Sequence, residues 1–289
     1  MGLREKLEAG HFAVLSEMEP PKGANVLGMI QNAKRVKEAV DAFVVPEMNN
    51  AVMRMSSLGG ALVLRNEGLP AVIQACCRDR NRLALQGDLL AAQALGIDTV
   101  IAVSGQDPSY GDHHQARSVY DIDLLELIRV VGRLNQGRDM VGIELDGATD
   151  FFCGTTTEAG AKGKSTEVET EEILRRVEAG ARFFITAPVF DLDLLEPYRK
   201  RLNGDTAVLI PTVMLLKSLG MVRYIRSNLP HIYIPEKIQD RLAAAPDKVR
   251  ECVLIAAEII REVKERGYGG VYLVTLGWEH RLPDIVETL

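Results

Sequence analysis

Eight short β-rich runs alternate with helical segments along the whole chain, and this rhythm constrains the fold more than any other feature. The runs are Phe12–Ser16, Ala42–Val45, Ala71–Ala75, Thr99–Val103, Met140–Leu145, Phe183–Ala187, Ala207–Val213 and Gly270–Thr275. Several of them (TVIAV, FFITA, AVLIPTV) are continuously apolar, as strands buried on both faces must be. The intervening segments read as helices. Asn81 to Leu95 is rich in helix formers and stops at Gly96, and Asp121 to Leu134 opens on a capping Asp and lines up Leu124, Leu127, Ile128 and Val131. Thr166-x-x-Glu169 reads as a capping box for a helix ending at Gly180. Lys248 to Arg266 puts Val249, Cys252, Val253, Ala256, Ile260 and Val263 on one stripe before Gly267. Strand–helix alternation implies right-handed crossovers and a parallel sheet. Eight units in 289 residues fit an α/β fold of the (β/α)8 barrel type. A doubly wound sheet is the alternative, without its usual G-x-G-x-x-G after the first strand. No linker or repeat divides the chain, so residues 1–289 are expected to form one barrel domain.

Charge and cysteine usage narrow the partners. The net charge is −6 and the 34 Lys and Arg are scattered, which argues against nucleic acid. Four cysteines without regular spacing make neither a disulfide framework nor a zinc site and suit a reducing cytoplasm. The first residues, MGLREKLEAGHFAVL, lack a signal peptide's apolar core, and no apolar stretch is long enough to span a membrane. A cytoplasmic location is the expectation.

In a barrel of this kind the chemistry lies where the strands end. That rule selects Glu17 and Glu19, Glu47–Asn50, Cys76–Asn81, Gly105–Asp107 with the PSYGDHH loop, Glu144 and Asp146, Asp191, and Thr275–His280. The longest loops, Gln106–Tyr120 and Gly147–Ser165, are candidate lids. Glu17 and Glu19 share a strand face, and an unpaired carboxylate at the packed interior is costly, which points to a general acid. A rim ion pair is the alternative for whichever lies farther out. Cys76 and Cys77 point to opposite faces and read as core. Arg78-Asp79-Arg80-Asn81 is either a charged helix start capped by Asp79 or a set bringing Arg78 or Arg80 to an anion; spacing leaves both open. Gly160–Ser165 misses the P-loop pattern, because Glu158 stands where its first Gly belongs. His113 and His114 read as exposed, and no metal site is expected.

Together these residues resemble the 5,10-methylenetetrahydrofolate reductase family. The likeness is carried, in order, by Glu17-x-x-Pro20-Pro21, by Cys77-Arg78-Asp79-Arg80-Asn81 leading into LALQGDLLAAQALGI, by Gly180-Ala181-x-Phe183-x-Ile185-Thr186 with Phe190-Asp191, and by Thr275-Leu276. It extends to short reductases of acetogenic and related anaerobic bacteria, in which GDHHQARSVYDID also has counterparts. The resemblance implies a barrel that binds a flavin (FAD, with FMN the alternative) reduced by NAD(P)H or another donor. It implies that Glu17 protonates the departing folate nitrogen. It places Gly105 beside the flavin ring, with Gln106 and Asp107 next to it. Glu169 and Arg176 stand where the family has flavin-contacting Asp and Lys. Asn50, Ala187 and Leu276 fall on the folate side. The expected partners are methylenetetrahydrofolate and either further copies of the chain or an electron-transfer subunit.

Two departures stand out: the family's Gly-Asp is here Gly105-Gln106, and its Thr-Gln is here Thr186-Ala187. The first removes a negative charge near the flavin and the second a grip on the folate. A flavin-free pterin barrel working with a corrinoid partner, and a non-catalytic assembly subunit, are the alternatives.

Overall fold

Eight parallel strands close on themselves in chain order: β1 (Ala13–Glu17), β2 (Ala42–Val45), β3 (Ala71–Cys76), β4 (Thr99–Val103), β5 (Phe152–Thr156), β6 (Phe183–Pro188), β7 (Val208–Met214) and β8 (Gly270–Val274). The closing seam pairs Ala13 with Gly270 and Leu15 with Tyr272. This computed structural model describes residues 1–286, apart from the side chains of 203–206 and 286. The helices are α1 (Leu3–Glu8), α2 (Leu27–Val36), α3 (Ser57–Asn66), α4 (Arg82–Ala94), α5 (Leu124–Asn135), α6 (Thr166–Ala179), α7 (Glu196–Thr206), α8 (Leu219–Asn228), α9 (Glu236–Ala244), α10 (Lys248–Glu265) and α11 (Leu282–Val286). The (β/α)8 expectation is met. Among the described residues no helix is long and apolar enough to cross a membrane.

The core has two layers. Leu15, Val44, Val72, Ile101, Phe152, Phe183, Ile210 and Tyr272 fill the barrel, and Leu3 and Leu7 of α1 join this cluster from the N-terminal end. The larger layer lies between the strands and the helices, where α10 contributes Cys252, Val253, Ile260 and Val263. Gly154 has a packing reason. A Cβ there would stand 2.2 Å from the Phe183 ring, which stacks on Phe152 with centroids 5.2 Å apart.

The fifth strand is a correction. Met140–Leu145 is a turn, not a strand: Gly142 has φ +89°, Arg138 bridges Glu144 in antiparallel fashion, and the Asp139 carboxylate accepts from the amides of Val141 and Ile143. Val141 and Ile143 are exposed, so the alternation that suggested a strand faces solvent. Glu144 and Asp146 therefore sit in the connection from α5 to β5, away from the strands' C-terminal ends, and Gly147–Ser165 is no single long loop. Helix caps also shift. Asn81 and Ser165 cap α4 and α6 rather than Asp79 and Thr166, and Asp123 rather than Asp121 caps α5.

Candidate active site at the C-terminal mouth of the barrel

The strands end around a cavity of about 820 Å³, in the upper range of small-molecule sites. Glu17, Asn50, Gly105, Gln106, Glu169, Arg176, Ala187 and Leu276 all line it. Asp107 does not: its carboxylate accepts from the Ser109 amide, a bond that caps the short helical turn Pro108–Tyr110 and holds the carboxyl below the usual carboxylate range.

Glu17 is the last residue of β1 and is only 6% exposed. Burial drives its carboxyl up to about 7, and the nearby carboxylates Glu19 and Glu279 push the same way. Hydrogen bonds from Tyr272 and Asn49 work against this rise. The Tyr272 hydroxyl donates to Oε2 at 3.1 Å and the Asn49 amide to the same oxygen at 2.8 Å. Glu19 lies farther out, in an ion pair with Arg54 (2.7 Å from Nε) that lacks hydrogen-bond angles. Its carboxyl is also raised, by burial first. The two carboxylates thus divide as the sequence allows: one buried with no ion pair among the described residues, one paired at the rim.

Arg78 settles the question left open at Arg78–Asn81. It is 2% exposed and lines the cavity, but its guanidinium is occupied by Asp79 and by the carbonyls of Glu47, Met48 and Gln106. It ties the loops after β2, β3 and β4 together. Arg80 pairs with Glu47 and Asp88. Neither is a free anion ligand.

The opposite wall comes from β5, α6 and β6. Glu169 Oε1 accepts from the Thr157 hydroxyl at 2.5 Å and the Glu158 amide at 2.9 Å, so Glu169 braces the loop after β5 instead of completing a capping box. Arg176 donates from Nη1 to the Thr156 carbonyl, and its other guanidinium donors have no protein partner among the described residues. Gly105 has φ +82°, and a Cβ there would fall 2.5 Å from the Cys76 sulfur, so only bare backbone can form that wall. The cleft is of mixed polar and apolar lining, and its bare backbone wall and a cation with spare donors fit a flavin bearing phosphate.

Several lining residues have no sequence expectation behind them. Thr156 ends the relocated β5 and Thr157 and Glu158 follow it, inside a segment expected only as a lid. Tyr272 is not in the lining but donates to Glu17 from β8, and alternation could have found it, since it shares a strand face with Gly270 and Val274. His231 reaches the cavity from the segment between α8 and α9, and no local signal marks it. The four cysteines are all free and buried.

A fold and mouth of this kind define a (β/α)8 enzyme-like barrel with a buried acid. The family model described as methylenetetrahydrofolate reductase matches residues 2–289, and the chain belongs to that family. It is 21% identical over 312 positions to "Methylenetetrahydrofolate reductase 2" of Schizosaccharomyces pombe, covering 99% of this chain and 46% of that protein. It is 22% identical over 296 positions to "Probable methylenetetrahydrofolate reductase (NADPH)" of Caenorhabditis elegans, covering 94% of this chain and 41% of that one. The chain thus spans less than half the length of these curated relatives. Among solved structures, oxaloacetate acetylhydrolase with 3,3-difluorooxalacetate is similar at TM-score 0.59 and 11% identity, covering 99% of this chain and 82% of that one. A 2,3-dimethylmalate lyase is similar at TM-score 0.56 and 12% identity, covering 99% and 81%. At such identities the likeness is one of fold.

Proposed function

We propose that this chain reduces 5,10-methylenetetrahydrofolate to 5-methyltetrahydrofolate, with Glu17 as the general acid and a flavin, FAD in the first instance, bound at the barrel mouth. The observation that carries the reading is a buried carboxyl, raised to about 7, in the wall of the large cavity of a chain from this family. A bound flavin supplies the hydride that turns the methylene carbon into a methyl group. Glu17 gives its proton to the folate nitrogen that leaves as the methylene bridge opens. Without that proton the nitrogen would depart as an anion, and the iminium that accepts hydride would form slowly. Glu17 suits the role because its carboxyl remains about half protonated near neutral pH.

When a flavin is bound, Arg176 would offer its spare donors to the phosphates and Gly105 would leave room for the ring, with Gln106 and Glu169 bordering the same space. Asn50, Ala187 and Leu276 stand on the folate side. NAD(P)H or another donor would supply the electrons to a bound flavin, and the chain would work in the cytoplasm with copies of itself or with an electron-transfer subunit. The test is reconstitution: the full chain mixed with FAD should retain a yellow, reducible flavin after desalting. A chain that stays colourless with both FAD and FMN favours the methyl-transfer or assembly readings.

Ala187 leads to a second expected result. It lines the cavity at the end of β6 with no side-chain polar group to hold the pterin. Restoring an amide there adds hydrogen bonds worth about 0.5–1.5 kcal/mol each, so Ala187→Gln should lower the KM for methylenetetrahydrofolate by up to about tenfold. Steady-state kinetics reads this directly. An unchanged KM would mean that the folate does not contact this wall.

A further inference from the structure

The two oxygens of Glu17 are not equivalent. Oε2 accepts from both Asn49 and Tyr272, whereas Oε1 has no protein partner among the described residues. An oxygen already receiving two donors has no room for a proton of its own, so the acidic hydrogen belongs on Oε1. What holds Asn49 in place is unusual. It sits in a turn where Met48, Asn50 and Ala51 all have left-handed backbones, with φ of +49°, +56° and +54°. Three such residues within four positions persist only where their surroundings over-determine them.

Those surroundings are visible. Arg78 donates to the Met48 carbonyl from one side. From the other side the loop after β4 presses on the turn. A Cβ on Gly111 would stand 1.8 Å from the Ala51 carbonyl oxygen, so the approach requires glycine there. One residue on, the Asp112 carboxylate accepts from the Met53 amide at 2.9 Å and pairs with Lys22.

We propose that Asn49 and Tyr272 are positioning residues that confine the acidic proton of Glu17 to Oε1, and that the Gly111-Asp112 segment keeps Asn49 in place by clamping the strained turn. The inference rests on reading Glu17 as the acid. It gives the PSYGDHH loop a task that is neither ligand contact nor metal binding. The other charges near Glu17 are accounted for. Glu19, from the loop after β1, is paired with Arg54; Glu279, from the loop after β8, accepts from Thr275 and the Gly277 amide. Lys217, from the loop after β7, faces Glu19 and Glu279.

Both donors favour the carboxylate, so removing either should raise the pH at which Glu17 ionises. The measurement is pH-dependent difference infrared spectroscopy on the full chain, with the Glu17 carboxyl band identified by its loss in Glu17→Gln. In wild type the band should titrate near pH 7. In Tyr272→Phe and in Asn49→Ala the titration should move up by about one pH unit each, with Gly111→Ala moving the same way. A purely structural role would lower the melting temperature and leave the titration where it was. Should Gly111→Ala not fold, Asp112→Ala removes the clamp's acceptor without adding an atom and should give the same shift. An unmoved band in both Tyr272→Phe and Asn49→Ala overturns the positioning role, and an unmoved band in the folded clamp variant overturns the loop's part. If the band shifts but wild type never turns over methylenetetrahydrofolate, the positioning holds and the functional reading fails.

Discussion

Glu17→Gln should slow methylenetetrahydrofolate reduction by about 10²–10⁴-fold at neutral pH, the usual span for losing a general acid, while flavin binding and flavin reduction stay close to wild type. The amide keeps the shape of the carboxyl and loses only the transferable proton. Glu19→Gln should cost far less, because that carboxylate is committed to Arg54 at the rim. Stopped-flow kinetics of the two half-reactions separates these outcomes. A damaging Glu19→Gln beside a silent Glu17→Gln would assign the acid to the wrong residue.

The same substitution has a stability signature of known sign. The Glu17 carboxyl is raised from 4.5 to about 7 in the folded chain. Below pH 4.5 both folded and unfolded forms are neutral and the group contributes no penalty. Between 4.5 and 7 the unfolded chain ionises first, so folding stability falls as pH rises, by about 3 kcal/mol in total at 1.36 kcal/mol per pKa unit. Glutamine does not titrate. Glu17→Gln should therefore melt higher than wild type at pH 8 and close to it at pH 4, a sign that the site trades stability for chemistry.

Arg78→Ala carries the largest expected stability loss, about 1–3 kcal/mol, the range for leaving buried acceptors without their donor, because the Arg78 side chain is buried while that of Asp79 is partly exposed. It leaves Asp79 without its cation and strips a donor from the carbonyls of Glu47, Met48 and Gln106. Three rim loops then lose their common tie, so flavin affinity should fall with the melting temperature. Arg78→Lys should rescue little, since a single ammonium cannot span those acceptors. A wild-type melting curve for Arg78→Ala would mean that the tie contributes nothing to the folded state.

Most of the barrel was legible because seven strands are short apolar runs between caps and glycines that stop helices. The fifth was not. Phe152–Thr156 carries only Phe152 and Cys153 before Gly154 and two threonines, and its fit depends on Phe183 filling the space above Gly154. That is a tertiary fact with no local periodicity, whereas Met140–Leu145 shows alternation and spends it on solvent. The error carried into the site, adding Glu144 and Asp146 and hiding Thr156, Thr157 and Glu158. Glu17, Gly105 and Leu276 were legible because each ends or follows a strand. The role of Arg78 was not, because whether a guanidinium meets a ligand or three carbonyls depends on how neighbouring loops approach it. Asp107 illustrates the converse: its residue type suits a site, but a local amide claims its carboxylate.

The oxidative half-reaction tests the central claim most directly. The chain is loaded with FAD, reduced under anaerobic conditions, freed of excess reductant and mixed with methylenetetrahydrofolate while the flavin absorbance is followed. The account predicts that the oxidised spectrum returns, with one 5-methyltetrahydrofolate formed per flavin, and that Glu17→Gln does the same about 10²–10⁴-fold more slowly. A reduced flavin that stays bleached in the presence of saturating methylenetetrahydrofolate, in a chain that has bound FAD and folded, would contradict it.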